Sequence, residues 1–257
     1  MADNDSVRKT LLVTLVLCVV CAVVVSAAAV LLRPQQAANQ ALNRKANILA
    51  AAGLLRPDVD LEEQFKRVET RLVDLDSGRF STDLDPVTYD QRKASRDPAL
   101  SAAIPQEQDI AKIQRRPRYA QVYLVKDDDG RLSRVILPVK GYGLWSTMHG
   151  FIALEGDLNT VAGLGFYEHA ETPGLGGEID NPRWKALWPG KRVYEGDKLA
   201  LRVIKGKVDS GRPEAIHQVD GLAGATLTSR GVDNLVRYWL GEQGFASFLA
   251  NLRAGAA

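Results

Sequence analysis

Gln121-Val-Tyr-Leu-Val125, a turn at Asp127-Asp-Asp-Gly130 and Arg134-Val-Ile-Leu-Pro138 are two apolar, β-branched runs joined by a polar loop that ends in glycine. This is a hairpin pattern, because glycine closes the turn and Val, Ile and Tyr suit a pleated surface. Toward the C-terminus, Phe151-Ile-Ala-Leu154 and Val161-Ala-Gly-Leu-Gly-Phe-Tyr167 read as two more strands, and Leu199-Ala-Leu-Arg-Val-Ile204 as another. The period then changes. Val232, Leu235, Val236, Trp239 and Leu240 recur at helical spacing between Thr228-Ser229, the expected N-cap, and Gly241. Phe245 to Arg253 reads as a short last helix. Strands followed by helices predict an α/β fold of the mixed α+β kind.

Toward the N-terminus, Leu61 to Val73 is expected to be helical, with Phe65, Val68 and Leu72 on one face. Asp74 to Arg118 is polar and interrupted by Pro86, Pro98, Pro105 and Pro117, so it reads as loop with short elements. The Ala-rich stretch Gln35 to Ala52 is expected to form a juxtamembrane helix between Pro34 and Gly53. Before it, Leu11 to Leu32 carries no charge. At about 1.5 Å per residue it spans about 33 Å, enough for a hydrocarbon core of about 30 Å. Arg8, Lys9 and the small residues Ser26 to Ala29 also fit a signal peptide, but the run exceeds the roughly 7–15 residues of a signal core, so a retained single span is expected. Arg8 and Lys9 precede the span, and Arg33, Arg44 and Lys45 follow it, which leaves its sidedness open. Cys18 and Cys21 fall inside the span and read as small apolar filler; no cysteine follows them, so no disulfide is expected in the remainder.

Composition narrows the function. The 257 residues hold 33 Lys+Arg against 31 Asp+Glu, a formal net charge of +2. That balance offers no field for a polyanion, and nucleic acid is excluded as an expected partner. Gly-x-Gly-x-x-Gly, Walker and Gly-x-Ser-x-Gly signatures are absent. His149, His169 and His217 have no His or Cys at ligand spacing, so neither a metal site nor a catalytic nucleophile is expected. Three segments rich in glycine and hydroxyls remain: Lys140-Gly-Tyr-Gly-Leu-Trp-Ser-Thr147, His169-Ala-Glu-Thr-Pro-Gly-Leu-Gly-Gly177 and Val219-Asp-Gly-Leu-Ala-Gly-Ala-Thr-Leu-Thr-Ser229. The third places small residues and two threonines before a helix N-terminus, which attracts phosphate through open N–H groups and the helix dipole. It also reads as a plain small-residue turn; the second reads as a loop that wraps a ligand with Thr172 as a donor or as a Pro-Gly surface turn, and Trp145 as a cover for a planar ligand or as a core residue.

In this order, after one N-terminal span, the three segments resemble the C subunit of the bacterial Na+-translocating NADH:quinone reductase. The resemblance runs from Asn47-Ile-Leu-Ala-Ala-Ala-Gly53 through Gly141-Tyr-Gly-Leu-Trp-Ser146 and Glu171-Thr-Pro-Gly-Leu-Gly176 to Asp220-Gly-Leu-Ala-Gly-Ala-Thr226. The last of these resembles the flavinylation signature Asp-Gly-x-Ser/Thr-Gly-Ala-Thr/Ser. Ala223 departs from it, standing where a hydroxyl residue is usual. The G subunit of the Rnf ferredoxin:NAD+ complex shares the Thr-Pro-Gly-Leu-Gly and acceptor motifs and is the nearest rival; a non-flavinylated assembly module is the other alternative.

The resemblance implies FMN on Thr226 through a phosphoester, installed by a flavin transferase that uses FAD, in a motif of Asp220, Gly224 and Ala225 with Thr228 beyond. It places Glu171, Thr172, Gly174, Leu175 and Gly176 along the flavin, and Trp145 or Leu175 beside its ring. Lys207, with Lys205, would offset flavin or phosphate charge or form a solvated turn. The implied organisation is a cytoplasmic tail at 1–10, a transmembrane helix at 11–32, juxtamembrane helices and loops at 33–118, and an FMN-binding domain at 119–257 on the periplasmic face of the inner membrane. The implied partners are the other subunits of a membrane complex and membrane lipid.

Overall fold

The computed structural model describes residues 6–257, so the first five residues of the expected 1–10 tail lie outside the described residues. The chain forms two units, divided between Arg44 and Lys45. The first consists of most of α1 (Val7–Ala51), a helix long and apolar enough to cross a membrane, and its apolar side chains from Val7 to Leu42 are exposed. Pro34 lies inside this helix instead of ending it. A lone proline removes one backbone hydrogen bond, and the alanine, leucine and glutamine around it sustain the helix on either side.

The second unit opens with the last turns of α1. Gly53, at φ +67°, closes them as expected: Leu54 N–H donates to Leu49 C=O at 2.8 Å and Gly53 N–H to Ala50 C=O at 3.0 Å. After α2 (Leu61–Phe65) come β1 (Val68–Asp74), β2 (Arg79–Ser81), α3 (Gln91–Ala94), β3 (Ser101–Ala103) and β4 (Arg115–Pro117). Then follow β5 (Tyr119–Lys126), β6 (Leu132–Tyr142), β7 (Thr147–Glu155), β8 (Val161–Glu168), α4 (Pro182–Lys185), β9 (Tyr194–Glu195), β10 (Lys198–Leu199), β11 (Arg202–Val203) and β12 (Gln218–Val219). The chain ends with α5 (Thr226–Leu240) and α6 (Ala246–Arg253).

One antiparallel six-stranded sheet, ordered β2-β1-β5-β6-β7-β8, carries the domain. The hairpin at 121–138 and the strands at 151–154 and 161–167 form as expected. The expected helix at 61–73 does not: it stops at Phe65, and Val68–Asp74 is a strand between β2 and β5. Phe65, Val68 and Leu72 mimic a helical stripe, but all seven β1 residues pair with β5, from Val68↔Val125 to Asp74↔Tyr119. The segment 33–118 therefore supplies two strands of the main sheet, and the compact domain begins at Lys45 instead of 119. The expected strand at 199–204 is broken into β10 and β11, which pair with β9 and β12.

Alternation along the strands sends side chains to two cores. Val122, Leu124, Val135, Leu137, Val139, Ile152 and Leu154 share one core with Val232, Leu235, Val236 and Trp239 of α5. Tyr123, Val125, Ile136, Phe151 and Ala153 meet Ile48, Leu49, Ala51 and Ala52 on the other side. Glycines allow both approaches. A Cβ on Gly163 would lie 2.4 Å from the Ala51 carbonyl oxygen, and one on Gly141 would lie 2.8 Å from Leu235 Cβ. Gly231 of α5 likewise leaves 2.6 Å between its missing Cβ and the Tyr142 carbonyl oxygen, so the first half of α5 lies close on the end of β6.

Gly163→Ala is expected to destabilise the domain by about 1–3 kcal/mol through overpacking. Gly165→Ala, whose Cβ would sit 3.8 Å from Ala51 Cβ, is expected to be near neutral. Denaturant midpoints of the two variants measure the difference.

Candidate functional site

The three glycine-rich segments, separate in sequence, meet at one end of the sheet around the Glu171 side chain, which is 4% exposed. Its Oε1 accepts from the Leu144 and Trp145 N–H groups, each at 3.0 Å. Its Oε2 accepts from the Thr228 hydroxyl at 2.5 Å. One carboxylate thus joins the β6–β7 turn, the loop after β8 and the first turn of α5. Two glycines make room for it: a Cβ on Gly143 would lie 2.5 Å from Oε1, and one on Gly176 would lie 2.5 Å from Thr228 Oγ1 and 2.7 Å from Oε2. Burial by itself raises the Glu171 pKa, but the Thr228 hydroxyl and the Trp145, Leu144 and Ser146 backbone donors more than offset it and hold the carboxyl below the ordinary glutamate range.

The loops are also tied to each other. Ala170 N–H donates to Ser146 Oγ at 2.8 Å, and Gly143 N–H to the Ser146 carbonyl at 2.9 Å. The Thr172 carbonyl accepts from Leu175 N–H at 3.1 Å and Gly177 N–H at 2.8 Å, with Gly174 at φ +74° between them. His169 Nδ1 accepts from Glu171 N–H at 3.2 Å, which leaves Nε2 to donate to Asp180 Oδ2 at 2.7 Å.

The segment leading into α5 is held from both ends. Asp220 Oδ1 accepts from Val208 N–H at 2.8 Å, and its carbonyl accepts from Trp184 Nε1 at 2.8 Å. Gly221 N–H donates to the Gly206 carbonyl at 2.9 Å, which lays the Lys205 to Lys207 turn beside the motif. Downstream, Asp233 accepts from Arg202 Nε at 2.9 Å and Nη2 at 3.1 Å and from Val203 N–H at 2.9 Å, fixing α5 to β11. Gly224, at φ +73°, reverses the chain just before the helix. A Cβ there would lie 3.2 Å from Leu175 Cδ2, so the Leu175 side chain overhangs the motif.

Helix α5 begins at Thr226, two residues before the expected cap. Ala225 occupies the N-cap position, and among the described residues no side chain caps this end. Thr228 and Ser229 are inside the helix with other duties: Thr228 bonds Glu171, and the Ser229 hydroxyl accepts from Leu222 N–H at 2.8 Å and donates to the Ala225 carbonyl at 3.0 Å. Their side chains are therefore spent on folding the loop, and among the described residues no side chain accepts from the first-turn N–H groups. Thr226 itself is exposed, as are Leu227, Leu175, Leu144 and Trp145; Trp145 is 63% exposed and not a core residue.

The structure therefore brings Trp145, Glu171, Thr172, Gly174, Leu175, Gly176, Gly224, Ala225, Thr226 and Thr228 together, with Asp220 behind them. Lys207 is not drawn in: it is exposed on the neighbouring turn, and among the described residues its ammonium makes no hydrogen bond. The sequence reading gave Gly143 and Ser146 no role beyond their segment, took Ser229 for a cap, and missed Trp184 and Gly231. Gly231 left a signal, because glycine inside a helix costs about 1 kcal/mol and calls for a close contact to explain it.

Glu171→Gln is expected to cost about 1–3 kcal/mol at neutral pH, since the charged acceptor is lost and its donors stay buried. A carboxyl whose native pKa is lowered stabilises the fold above its unfolded value, near 4.5, and loses that contribution as pH falls through the native value. The gap between wild type and Glu171→Gln in unfolding experiments should therefore close on acidification.

The FMN-binding domain family matches residues 143–241, a span that contains all three segments from Gly143 onward. The chain is 58% identical to the Na(+)-translocating NADH-quinone reductase C subunit of Pseudomonas aeruginosa over 100% of both chains. It is 49% identical to the protein of that name from Yersinia pestis, over 99% of this chain and 96% of that one. Its structure matches crystalline Shewanella oneidensis NqrC with a TM-score of 0.75 at 39% identity, over 84% of this chain and 97% of the other. Identity at this level along the whole length, on the same fold, places the chain in the family of Na(+)-translocating NADH-quinone reductase C subunits.

Proposed function

We propose that this chain is an electron-transfer subunit that holds FMN by a phosphoester on Thr226 and passes electrons within a membrane NADH:quinone reductase that exports Na+. The observation that carries this reading is Thr226 itself: an exposed hydroxyl on the first residue of an uncapped 15-residue helix, directly after a left-handed glycine and one alanine. A phosphate on its oxygen would lie against the open N–H groups of α5 and the positive end of its dipole. No acidic residue stands in that first turn to repel it.

The residues fit the rest of the cofactor too. Gly224 leaves backbone uncovered beneath Leu175 where a Cβ would fill the space. The exposed apolar side chains of Trp145, Leu144, Leu175 and Leu227 would flank a planar ring at the cost of little new desolvation. Ala223 is exposed, so the hydroxyl missing from that position leaves no buried group without a partner. Bound FMN supplies one- and two-electron transfer; the chain supplies the tether, the orientation and the electrostatics.

Among the described residues none bonds the Thr226 hydroxyl, so a separate flavin transferase must provide the base that removes its proton. On this reading the long apolar helix is a single membrane span and, as the resemblance implies, the flavin domain lies on the periplasmic side. There a covalent link keeps the cofactor from being lost to a compartment without a cytoplasmic flavin pool. The other reductase subunits and membrane lipid are the partners on this reading.

Coexpressed with the transferase, the wild-type chain is expected to fluoresce under ultraviolet light after SDS electrophoresis and to carry FMN less one water on the Thr226 peptide. Thr226→Ala should lose both signals and the quinone reductase activity of the assembled complex, while Thr226→Ser retains flavin. A fluorescent Thr226→Ala band would refute the assignment.

A further inference from the structure

We propose that Lys140, His149 and Arg92, aligned across the sheet face opposite α5, form a docking site for an acidic side chain of another subunit of the complex. Lys140 and His149 are direct partners across β6 and β7, so their side chains are neighbours on one face. His149 in turn opposes Glu168 of β8, and its ring lies 6.2 Å from that of Tyr167. Arg92 of α3 closes the row, with Nη2 2.7 Å from Glu168 Oε2 and its guanidinium 5.5 Å from the centre of the Tyr167 ring.

The charges in this row do not balance. Lys140 is partly buried, yet among the described residues its ammonium makes no hydrogen bond and no ion pair. The carboxylates facing it are already engaged: Glu168 by Arg92, and Asp109 by the Ile113 and Gln114 N–H groups at 2.8 and 2.7 Å. Exposed Arg96 adds a further cation. Both groups are held below their ordinary pKa values. Burial, against attraction from Asp109 and with repulsion from Arg92 and Arg96, brings Lys140 down to about 8; burial and then Arg92 bring His149 down to about 4.

A partly dehydrated ammonium without a counter-charge is unfavourable, and bringing a carboxylate to it recovers that cost. A carboxylate carried by another subunit is favoured over a free anion, because a tethered group loses little further freedom once the complex has formed. The open row offers a free anion no enclosed set of donors. This inference rests on the reading of the chain as one subunit of a larger complex and is independent of flavinylation.

The test is carbodiimide treatment of the assembled complex, which condenses an amine and a carboxylate in contact into an amide, followed by mass spectrometry of the Lys140 peptide. The expected result is an amide from Lys140 Nζ to an Asp or Glu of another subunit. Lys45 to Glu62, an ion pair of 2.6 Å within this chain, serves as the internal positive control. In parallel, Lys140→Met should release the subunit from the complex at lower salt than wild type, and Lys140→Arg should restore retention with unchanged unfolding of the isolated subunit. A Lys140 peptide that is unmodified, or linked only to Asp109 or Glu168, would overturn the proposal, as would wild-type retention of Lys140→Met. A longer amine-reactive cross-linker reports assembly separately: links from other lysines of this chain to other subunits, with none from Lys140, sink the docking site alone. Absence of every inter-subunit link sinks both readings.

Discussion

The Glu171 carboxylate is the constraint on which the site depends. An ionised side chain buried to this degree is unfavourable unless nearly every lone pair is matched, and Glu171 is matched by one hydroxyl and two backbone N–H groups within 3.0 Å. Because those donors come from three separate segments, the carboxylate fixes their relative positions in a way apolar packing does not. A hydrophobic contact tolerates sliding by an ångström, whereas a hydrogen bond weakens steeply with distance and angle. The loops around Thr226 are mostly exposed and have little core of their own, so this directional link determines their shape.

Glu171 can reach its donors only because backbone comes unusually close. Gly143 and Gly176 leave space on either side of the carboxylate, while Gly141 and Gly231 let α5 settle on the end of β6. The Arg202–Asp233 pair then fixes the helix along its length, with Asp233 Oδ1 also taking the Val203 N–H. The N-terminus of α5 is thus positioned by contacts several residues away from it. That separation leaves Thr226 and the first-turn N–H groups with no structural role that would compete with a ligand.

How far the sequence was legible follows from the range of the interactions. The 121–138 hairpin, the strands at 151–154 and 161–167, the amphipathic α5 and the Gly53 stop depend on neighbours a few residues apart, and each forms as its pattern implies. Val68–Asp74 was misread because its order comes from pairing with β5 some fifty residues downstream, and Val68 and Leu72 fit a helical stripe equally well. Pro34 misled for the opposite reason, a local rule overridden by strong helix formers on both sides. In the site, the three segments were visible as glycine and hydroxyl clusters, but not that the Glu171 carboxylate gathers them. Thr228 and Ser229 looked like caps, and only the folded loop shows their hydroxyls committed to Glu171 and to the Leu222 and Ala225 backbone.

The openness of this site bears on the tether proposed at Thr226. A helix N-terminus contributes about 0.3–1 kcal/mol toward an exposed anion, and side chains as exposed as Trp145 and Leu175 can cover only part of a ring. Micromolar retention needs about 8 kcal/mol at 25 °C, which an open face with one uncapped helix end is poorly placed to supply. The proposed bond at Thr226 would remove that requirement, since the ring would then be held near its loops at an effective concentration on the order of millimolar. The same openness has a use in electron transfer, because a cofactor enclosed by its own subunit would be kept apart from donors and acceptors on others. On the proposed assignment, rigid loops anchored by Glu171 and an exposed Thr226 are complementary: the loops would fix where a cofactor sits, and the exposed residue would leave it within reach of partners.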